Sequence, residues 1–336
     1  MIISIPKPVY MTVFMLFLLI DAVGLNLAPL LKKIEIFDIA ASYNSLTALY
    51  PPITKIAQDY IYVFLALTGV SLLLLLYRPK LILVKHVSYA HDVASVNQDV
   101  LKKHHVKKIE INQYEAMKNI ETIVDAISDQ DRTAKSILRS RKSASLCYYG
   151  IAHTPLIFRL GFFMGDQNNI MLLHKTRTNG SLFDELSNDN GYSTITPREI
   201  NESVSSTELI VSVSTSLKIN ERDLVSLNPE HKHVLSFESN IISFDSIMSY
   251  TQAENFRSAI MHGIRDCVKK YGIQKIHMVI SSSVAFTFFL GQALSAQHDP
   301  ITVVYHFEKG TYPWGICMNE TVDKALVINI ADDNTV

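Results

Sequence analysis

Two long apolar runs dominate the start of this 336-residue chain. Residues 9–31 and residues 60–77 are each mostly apolar, and each is long enough to cross about 30 Å of hydrocarbon as a helix. A cleaved secretory signal has a shorter apolar core followed by a small-residue cleavage site, and the first run has neither. The pattern therefore predicts that residues 1–80 form a hairpin of two transmembrane helices.

The charges that flank the two runs predict the side of the membrane on which the rest of the chain lies. Basic residues are favoured on the cytoplasmic side of a membrane span. More of them flank the pair of runs than lie in the connection between the runs: Lys7, Arg78, Lys80 and Lys85 against Lys32, Lys33 and Lys55. We therefore expect both chain ends, and the large domain after residue 80, to be cytoplasmic.

Polar residues interrupt the first apolar run. Asp21 lies a little past its middle, and Asn26 follows. A carboxylate at that depth costs on the order of 3 kcal/mol unless it faces protein or water. One interpretation is a polar seam of Asp21 and Asn26 that lines a pore or an oligomer contact. The other is a shifted or tilted span in which Asp21 reaches the outer interface.

The rest of the chain contains an internal repeat. After a shift of 130 residues, the segment 145–175 aligns with the segment 275–307, so that Gly161 falls on Gly291 and Phe158 on Phe288. In each copy a short apolar run ends in small polar residues, a stretch with helical periodicity follows, and a second apolar run begins. Such alternation of apolar strands and helices is typical of a parallel sheet covered on both faces.

The repeat extends backwards more faintly and predicts the fold class. Residues 81–88 fall on residues 211–218, and Ile170 falls on Ile301. Each half then reads as strand, loop, strand, helix, strand, helix, strand. The sequence predicts an α/β fold of two tandem Rossmann-like halves, residues 81–200 and 205–336. A polar segment, residues 179–208, connects them.

Composition and motifs exclude several classes of function. The net charge is −1, so the protein has no global field that would attract DNA or RNA. Three widely spaced cysteines offer neither a disulfide framework nor zinc-ligand spacing. The phosphate-binding motifs GxGxxG and GxxxxGK[ST] are absent from the sequence. We expect no metal and no cofactor.

Candidate binding residues lie where the predicted strands end. In open α/β sheets a ligand binds beyond the carboxyl ends of the strands, where helix N-termini present free N–H groups. Small and polar residues at these ends permit a phosphate to approach the backbone. The candidates are His86, Ser88, His153, Thr154, Thr215, Ser281, Ser282 and Ser283. The three serines have a second interpretation as helix N-cap residues.

Basic and aromatic residues follow the last strand of each half. They are Lys175 and Arg177 in the first half, and Tyr312 and Trp314 in the second. Basic side chains suit phosphate groups, and a base stacked on an aromatic ring gains about 1–3 kcal/mol. Trp314 has an alternative interpretation as a core or lid residue. The arrangement predicts a small nucleotide-type ligand in a cleft shared by both halves.

Several segments resemble SAVED domains. The motifs ISSSVAFTFFLGQAL, ITVVYHFE and TYPWGI, within residues 276–319, are similar to the C-terminal half of that family. LIVSVSTS resembles its central strand, and GIAHTPLIFRLG resembles the start of its first-half helix. The resemblance covers residues 81–330, with one departure: Phe183 stands where many relatives carry Trp. It implies two fused CARF-like units that bind a cyclic oligonucleotide, typically a cyclic trinucleotide.

Together with two membrane helices, the chain is similar to the transmembrane-SAVED effectors of CBASS anti-phage systems. This resemblance implies an effector of the bacterial inner membrane that is not an enzyme. Ligand binding would drive homo-oligomerisation, and the membrane helices would then disrupt the lipid bilayer in abortive infection.

Two alternatives stay open at this point. One is a CARF-like nuclease that cleaves cyclic nucleotides with His153 or His86 and the serines at 281–283. The other is a membrane receptor that signals to a separate cytosolic partner. The basic cluster at residues 102–108 is a candidate contact for such a partner or for anionic lipid.

Overall fold

The computed structural model describes residues 80–89, 93–141, 144–165, 170–175, 182–186, 193–200 and 204–328. Both predicted membrane spans, with Asp21 and Asn26, lie outside these residues, as does Arg177. Among the described helices, none is both long enough and apolar enough to cross a membrane. The chain divides into two compact units, Met1–Arg78 and Pro79–Val336, and the second contains every described residue.

The first sheet has five strands in the order β2-β1-β3-β4-β5. Along the chain its elements are β1 (Lys80–Val87), α1 (Gln98–Lys102), β2 (His105–Asn112), α2 (Ile123–Arg141), β3 (Ser145–Ile151), α3 (Thr154–Met164), β4 (Ile170–Lys175) and β5 (Phe183–Glu185). Two 3-10 turns, Ala116–Lys118 and Ile120–Thr122, precede α2. Strands β1 to β4 are parallel, and β5 is antiparallel to β4.

The second sheet has seven strands in the order β12-β11-β10-β9-β7-β8-β6. Its elements are β6 (Ile195–Ile200), β7 (Glu208–Ser214), β8 (His233–Ser239), α4 (Tyr250–Tyr271), β9 (Lys275–Ser281), α5 (Val284–Gln292), β10 (Ile301–Glu308), β11 (Thr311–Cys317), α6 (Val322–Ala325) and β12 (Leu326–Ile328). The 3-10 segments Glu221–Leu227 and Pro229–His231 lie between β7 and β8. Strands β7 to β10 are parallel, whereas β6, β11 and β12 are antiparallel to their neighbours.

The two sheets repeat one topology, as the sequence predicted. The order β8-β7-β9-β10-β11 matches β2-β1-β3-β4-β5, and the last strand is antiparallel in both. Strand pairing corrects the sequence alignment in two places, because connections of unequal length shift strands away from a uniform spacing. Leu81 occupies the place of Glu208 beside the third strand of its half, not that of Val211. Ile170 occupies the place of Thr302, not that of Ile301.

Strand β6 belongs to the second sheet, although the predicted boundary assigned residues up to 200 to the first half. It pairs with β8 from Ile195 opposite Ser239 to Ile200 opposite Val234. Its sequence, ITPREI, suits an edge because proline cannot donate to a neighbouring strand and charged residues discourage further pairing.

One hydrophobic core joins the two halves. It unites the helices with the inner faces of both sheets, and Tyr148 of β3 stacks on Phe288 of α5 with ring centroids 4.2 Å apart. Helix α3 contacts α5 through two glycines. A Cβ atom added to Gly161 would overlap the carbonyl oxygen of Phe288, and one added to Gly291 would overlap that of Phe158. The positions that the repeat aligned are therefore those at which the two halves touch.

A buried arginine, paired with an aspartate of its own half, forms a second link between the halves. The guanidinium of Arg159 in α3 donates to both carboxylate oxygens of Asp131 in α2, at 3.0 and 2.8 Å. Its Nη1 donates to the carbonyl oxygen of Cys317, at the end of β11, over 2.7 Å. Arg159 is only 1% exposed, so all of these contacts are shielded from water.

Candidate functional site

A cavity opens at the carboxyl ends of the first sheet, against the start of helix α5 from the other half. Its volume is about 230 Å³. The polar and aromatic residues that line it are His174, Lys175, Phe183, Ser216, Phe244, Ser282 and Ser283. The cavity lies at strand carboxyl ends shared by two halves, where the sequence predicted a ligand to bind, and its lining includes three of the candidate residues.

The hydroxyl groups of the three serines and Thr215 have partners within the protein next to this cavity. Thr215 Oγ1 lies 2.7 Å from Ser282 Oγ, and Ser281 Oγ accepts the backbone N–H of Leu217 at 3.0 Å. Ser283 caps α5, because its Oγ accepts the N–H of Phe286 at 3.3 Å. The N-cap interpretation thus holds for Ser283, while Ser282 and Ser283 also line the cavity.

The fourth strand of the first sheet contributes a lysine to the cavity. Lys175 ends β4, is partly exposed, and lines the cavity. Its neighbour His174 is buried, and His174 Nε2 lies 3.0 Å from Asp245 Oδ1 in the loop that follows β8. This contact joins β4 of the first half to the second half beside the cavity.

The equivalent place in the other half holds a cluster of aromatic rings. His153 packs edge-on against His306 with ring centroids 4.6 Å apart, and His306 lies 5.1 Å from the ring of Trp314. Tyr89, which follows β1, packs against His153 at 5.3 Å. We name His153, His306, Trp314 and Tyr89 the ring cluster. It lies at strand carboxyl ends, as the cavity does, so both halves contribute to one edge.

Ser88 fixes the orientation of His153. Ser88 Oγ accepts the backbone N–H of His153 and lies 2.8 Å from its Nδ1. The backbone N–H of Ser88 in turn donates to the carbonyl oxygen of Ile151, a residue that lines the cavity. Thr154, which follows His153, begins helix α3 and is partly exposed. The predicted residues Ser88, His153 and Thr154 therefore lie together, next to the cavity.

The histidines of the ring cluster are neutral near pH 7. Burial, together with the nearby His306 and His86, lowers the pKa of His153 to about 3. Burial lowers the pKa of His306 to about 4. Burial disfavours the charged form of an imidazole. An anion at this edge would therefore meet neutral imidazoles, which donate from an N–H group.

His86 lies beneath the site rather than in it. It is fully buried, with Nδ1 2.9 Å from the Tyr148 hydroxyl and Nε2 2.9 Å from Gln113 Oε1. Both ring nitrogens thus have protein partners, so the structure offers no free atom of His86 for a ligand. The sequence placed it at a strand end, but burial decides which strand-end residues are accessible.

This burial makes stability dependent on pH. Burial lowers the pKa of His86 from 6.5 to about 4. Between these pH values His86 is protonated in the unfolded chain but neutral in the folded chain. Stability present above pH 6.5 is lost as the pH falls towards 4. From His86 alone we expect the free energy of unfolding to drop by about 2 kcal/mol between about pH 7 and pH 5. Urea unfolding at both values measures it.

The matched variants for that measurement are His86→Gln and His262→Gln. His262 has an 81% exposed side chain, so its replacement should leave the pH dependence unchanged. Replacement of His86 should reduce the drop by about 2 kcal/mol and leave the part that His153 and His306 contribute. Equal pH dependence in the two variants would contradict the assignment.

Tyr312 and Trp314 do not form one stacking surface. Residues two apart on a regular strand share a face. Between the pairs His306–Trp314 and Glu308–Thr311, however, β11 has one more residue than β10, which is a β-bulge. Tyr312 therefore packs into a separate core on the outer face, and Trp314 into the core between the sheets. Both are buried, at 3% and 5% exposure, and the two histidines cover Trp314.

The same register explains the departure at Phe183. Phe183 pairs with Lys175, and Asp184 pairs with His174, as Trp314 pairs with His306 in the second half. Asp184 thus occupies the place of Trp314. Phe183 itself is buried against Tyr149 and lines the cavity with its ring.

Sequence reasoning missed His306, His174, Tyr89 and Ser216. With the corrected register, His174 and His306 are equivalent residues of the two fourth strands, so a repeat aligned by strand pairing would have found them. Tyr89 and Ser216 are likewise equivalent, since their N–H groups bond to Ile151 and Ser281 in the same way. These equivalences depend on strand pairing, so the sequence pattern alone does not indicate the four residues.

The described residues contain no cluster of three or more His, Cys, Asp or Glu side chains that could hold a metal ion. The three cysteines are free and buried, and burial raises the pKa of each thiol.

The profile of the SAVED family, described as the SMODS-associated and fused to various effectors sensor domain, matches residues 129–318. This match covers more than half of the chain, so the chain belongs to the SAVED family and contains its sensor domain. The resemblance seen in the sequence motifs is thereby confirmed. No curated protein matches this chain significantly.

The chain is similar to solved structures of SAVED/CARF-domain containing receptors, one of which shows the same fold. The Acinetobacter baumannii Cap4 SAVED/CARF-domain containing receptor with the cyclic trinucleotide 3′3′3′-cAAA is 16% identical, with a TM-score of 0.50; the match covers 86% of this chain and 64% of that one. The same receptor with 2′3′3′-cAAA gives 15% identity, a TM-score of 0.48, and the same coverages. Moraxella osloensis Cap4 gives 15% identity, a TM-score of 0.43, and coverages of 77% and 59%. This chain thus spans less than two thirds of the length of these receptors.

Proposed function

We propose that this protein is a membrane-anchored receptor for a cyclic oligonucleotide, of the cyclic trinucleotide class, which assembles on ligand binding and disrupts the bacterial inner membrane. One observation carries the proposal. In a SAVED sensor domain, a cavity lined by Lys175, Ser282 and Ser283 lies between two duplicated halves, beside a second set of strand-end residues. The ligand class follows the cyclic trinucleotides named for the two Cap4 complexes.

The size of the cavity supports a ligand that extends beyond it. Pockets that enclose a whole small molecule measure about 300–1,000 Å³. A cavity of about 230 Å³ suits one nucleotide unit. The remaining units lie along the carboxyl edge towards the ring cluster, where Ser88 and the imidazole N–H groups donate hydrogen bonds. Lys175 and the Ser282 and Ser283 hydroxyls contact a phosphate.

Apolar side chains around the edge support assembly on binding. Leu182, Leu217, Phe244 and Tyr89 are 46%, 57%, 40% and 64% exposed. Exposed apolar groups around a polar site are typical of a surface that a ligand or another subunit covers. A ligand shifts an equilibrium only by its difference in affinity for the two states. A cyclic nucleotide that binds more tightly between subunits supplies that difference.

The experiment is reconstitution of the full chain in liposomes loaded with a dye, followed by a panel of cyclic di- and trinucleotides. We expect one cyclic trinucleotide to bind, to increase the mass of the assembly, and to release the dye. If no member of the panel binds, the receptor proposal fails. If one binds without dye release, membrane disruption fails, and signalling to a separate partner replaces it.

We expect Lys175→Ala to weaken ligand affinity about 10- to 100-fold, because a hydrogen bond to a charged group contributes about 1.5–3 kcal/mol. The matched control is Lys269→Ala in the last turn of α4, a solvated lysine on a different element. Calorimetric titration of both variants measures the effect. Equal affinities in the two variants would remove Lys175 from the site.

The receptor binds its ligand without cleaving it. No carboxylate lines the cavity among the described residues, and Ser88, not a serine of 281–283, is the hydroxyl that contacts His153. The contact of His153 or His86 with the serines at 281–283, which the nuclease alternative requires, is not among the described contacts. Chromatography of the ligand after prolonged incubation tests this. Recovery of intact ligand supports sensing alone, and linear products would favour the nuclease alternative.

A further inference from the structure

The amino edge of the first sheet carries a concentration of unpaired positive charge. Its exposed basic residues form no ion pair with any described residue. They are Lys80 at the start of β1, Lys103 before β2, Lys107 and Lys108 in β2, and Lys135 and Arg139 in the last turns of α2. We name these six residues the basic edge. They share one end because β1, β2 and β3 are parallel and α2 returns to the start of β3.

Nearby carboxylates do not neutralise the basic edge. Each is engaged by a different cation: Asp99 by Lys102, Glu110 by Lys85, Asp129 by Arg132, and Asp131 by Arg159. Six positive charges therefore face solvent without an ion-pair partner among the described residues.

The duplicated half provides an internal comparison. At the amino edge of the second sheet, three cations are paired: Lys232 with Glu208, Lys270 with Glu199, and Arg265 with Asp299. Two others, Lys269 and Lys275, form no ion pair with a described residue. The larger excess of unpaired cations, six against two, lies where the polypeptide enters the domain, since β1 begins at Lys80, directly after the apolar residues 60–77 and Arg78.

The basic edge is remote from the ligand cavity. A strand of eight residues spans roughly 26 Å, and the cavity lies at the opposite ends of the strands. That separation exceeds the screening length of about 8 Å at physiological ionic strength, so these charges do not serve the ligand.

We propose that the basic edge is a membrane-facing surface that binds the anionic headgroups of phospholipids. Clustered lysines and arginines next to a membrane anchor bind anionic leaflets by this attraction. The inference rests on the proposed membrane anchor. Lipid is favoured over single-stranded nucleic acid, because a nucleic-acid site pairs cations with exposed aromatic rings. The exposed aromatic residues among those described, Tyr89, Phe244, Tyr250 and Phe307, follow or end strands at the carboxyl edges instead.

The test uses the full chain in nanodiscs made either of phosphatidylcholine alone or with added phosphatidylglycerol. A dye is attached to Ser140→Cys, near the end of α2, or to Asn112→Cys, at the far end of β2. Burial raises the thiol pKa of the three native cysteines, so the dye reacts with the introduced one. A quencher on the lipid headgroups reports proximity.

We expect quenching at Ser140→Cys to rise at least about twofold in anionic discs, and quenching at Asn112→Cys to stay low. The triple variant Lys103→Glu, Lys107→Glu, Lys108→Glu should abolish the rise. A control with the same change in net charge, Arg222→Glu, Lys309→Glu, Lys324→Glu, should keep it. High salt should also abolish the rise in quenching, as the triple variant at Lys103, Lys107 and Lys108 does.

The outcomes separate this inference from the proposed function. If anionic lipid changes nothing at Ser140→Cys, or if both triple variants behave alike, the basic edge does not bind lipid, while cyclic-nucleotide binding is unaffected. If the triple variant loses binding to an RNA oligonucleotide but keeps its lipid response, the surface is a nucleic-acid site and the inference is wrong. A chain that does not enter nanodiscs at all refutes the membrane anchor itself.

Discussion

Gly161→Ala is expected to destabilise the domain by about 3 kcal/mol or more, and Gly291→Ala by a similar amount. Overpacking of a core commonly costs about 1–3 kcal/mol when side chains can move aside. Here the added methyl group meets a backbone carbonyl oxygen, that of Phe288 or Phe158, and the backbone yields less than a side chain. Helices α3 and α5 would have to separate, and this contact holds the two halves together.

The measurement is thermal and urea unfolding of each glycine variant beside Ser136→Ala. Ser136 is exposed on α2, so its replacement should change stability by less than about 0.5 kcal/mol. Ligand affinity provides a second readout, because separated helices displace Ser283 and the start of α5 from the cavity. If both glycine variants unfold like the parent chain, the close approach of the helices is wrong.

Asp131→Ala is expected to cost about 3–5 kcal/mol, because it leaves the guanidinium of Arg159 buried without its counter-charge. The double variant Asp131→Leu with Arg159→Met should be more stable than Asp131→Ala alone. An apolar pair removes the uncompensated charge and keeps the volume filled, although the carbonyl oxygen of Cys317 loses its donor.

A double-mutant cycle over Asp131 and Arg159 separates the cost of the uncompensated charge from the cost of the lost donor to Cys317. The control is Asp99→Ala. Asp99 pairs with Lys102 on the surface, where both side chains are more than 70% exposed. Loss of such a pair changes stability by about 0–1 kcal/mol. Equal effects of Asp131→Ala and Asp99→Ala would show that the buried pair of Arg159 and Asp131 does not stabilise the domain.

Much of the fold could be predicted because hydrophobic period and repetition are local properties of a sequence. The strands β3, β4, β9 and β10 are buried on both faces and therefore read as continuous apolar runs. The alignment of Gly161 with Gly291 also pointed to a shared structural role. The register of β1 against β7 was wrong, because strand pairing, not chain length, decides which residues are neighbours.

The site was predicted in part. Ser282, Ser283 and Lys175 line the cavity. They could be predicted because they lie at or just after strand ends, and the topology alone places those ends at the edge where a ligand binds. His86 was misplaced, since its burial depends on Tyr148 and Gln113 from other elements. Tyr312 was misplaced by a bulge, which adds one residue between two hydrogen-bonded pairs and leaves the strand pattern of the sequence intact.

By itself, the sequence determined that the chain has a duplicated α/β domain with polar strand ends, and that two apolar runs precede it. These features depend on which side chains prefer water, and on spacing that each half repeats. Only the tertiary structure decided which strand ends are open. The docking of α5 against the first sheet leaves a cavity on one side, and aromatic rings occupy the equivalent place on the other. Whether a strand end is open depends on packing between residues far apart in the chain, and the local sequence pattern does not determine that packing.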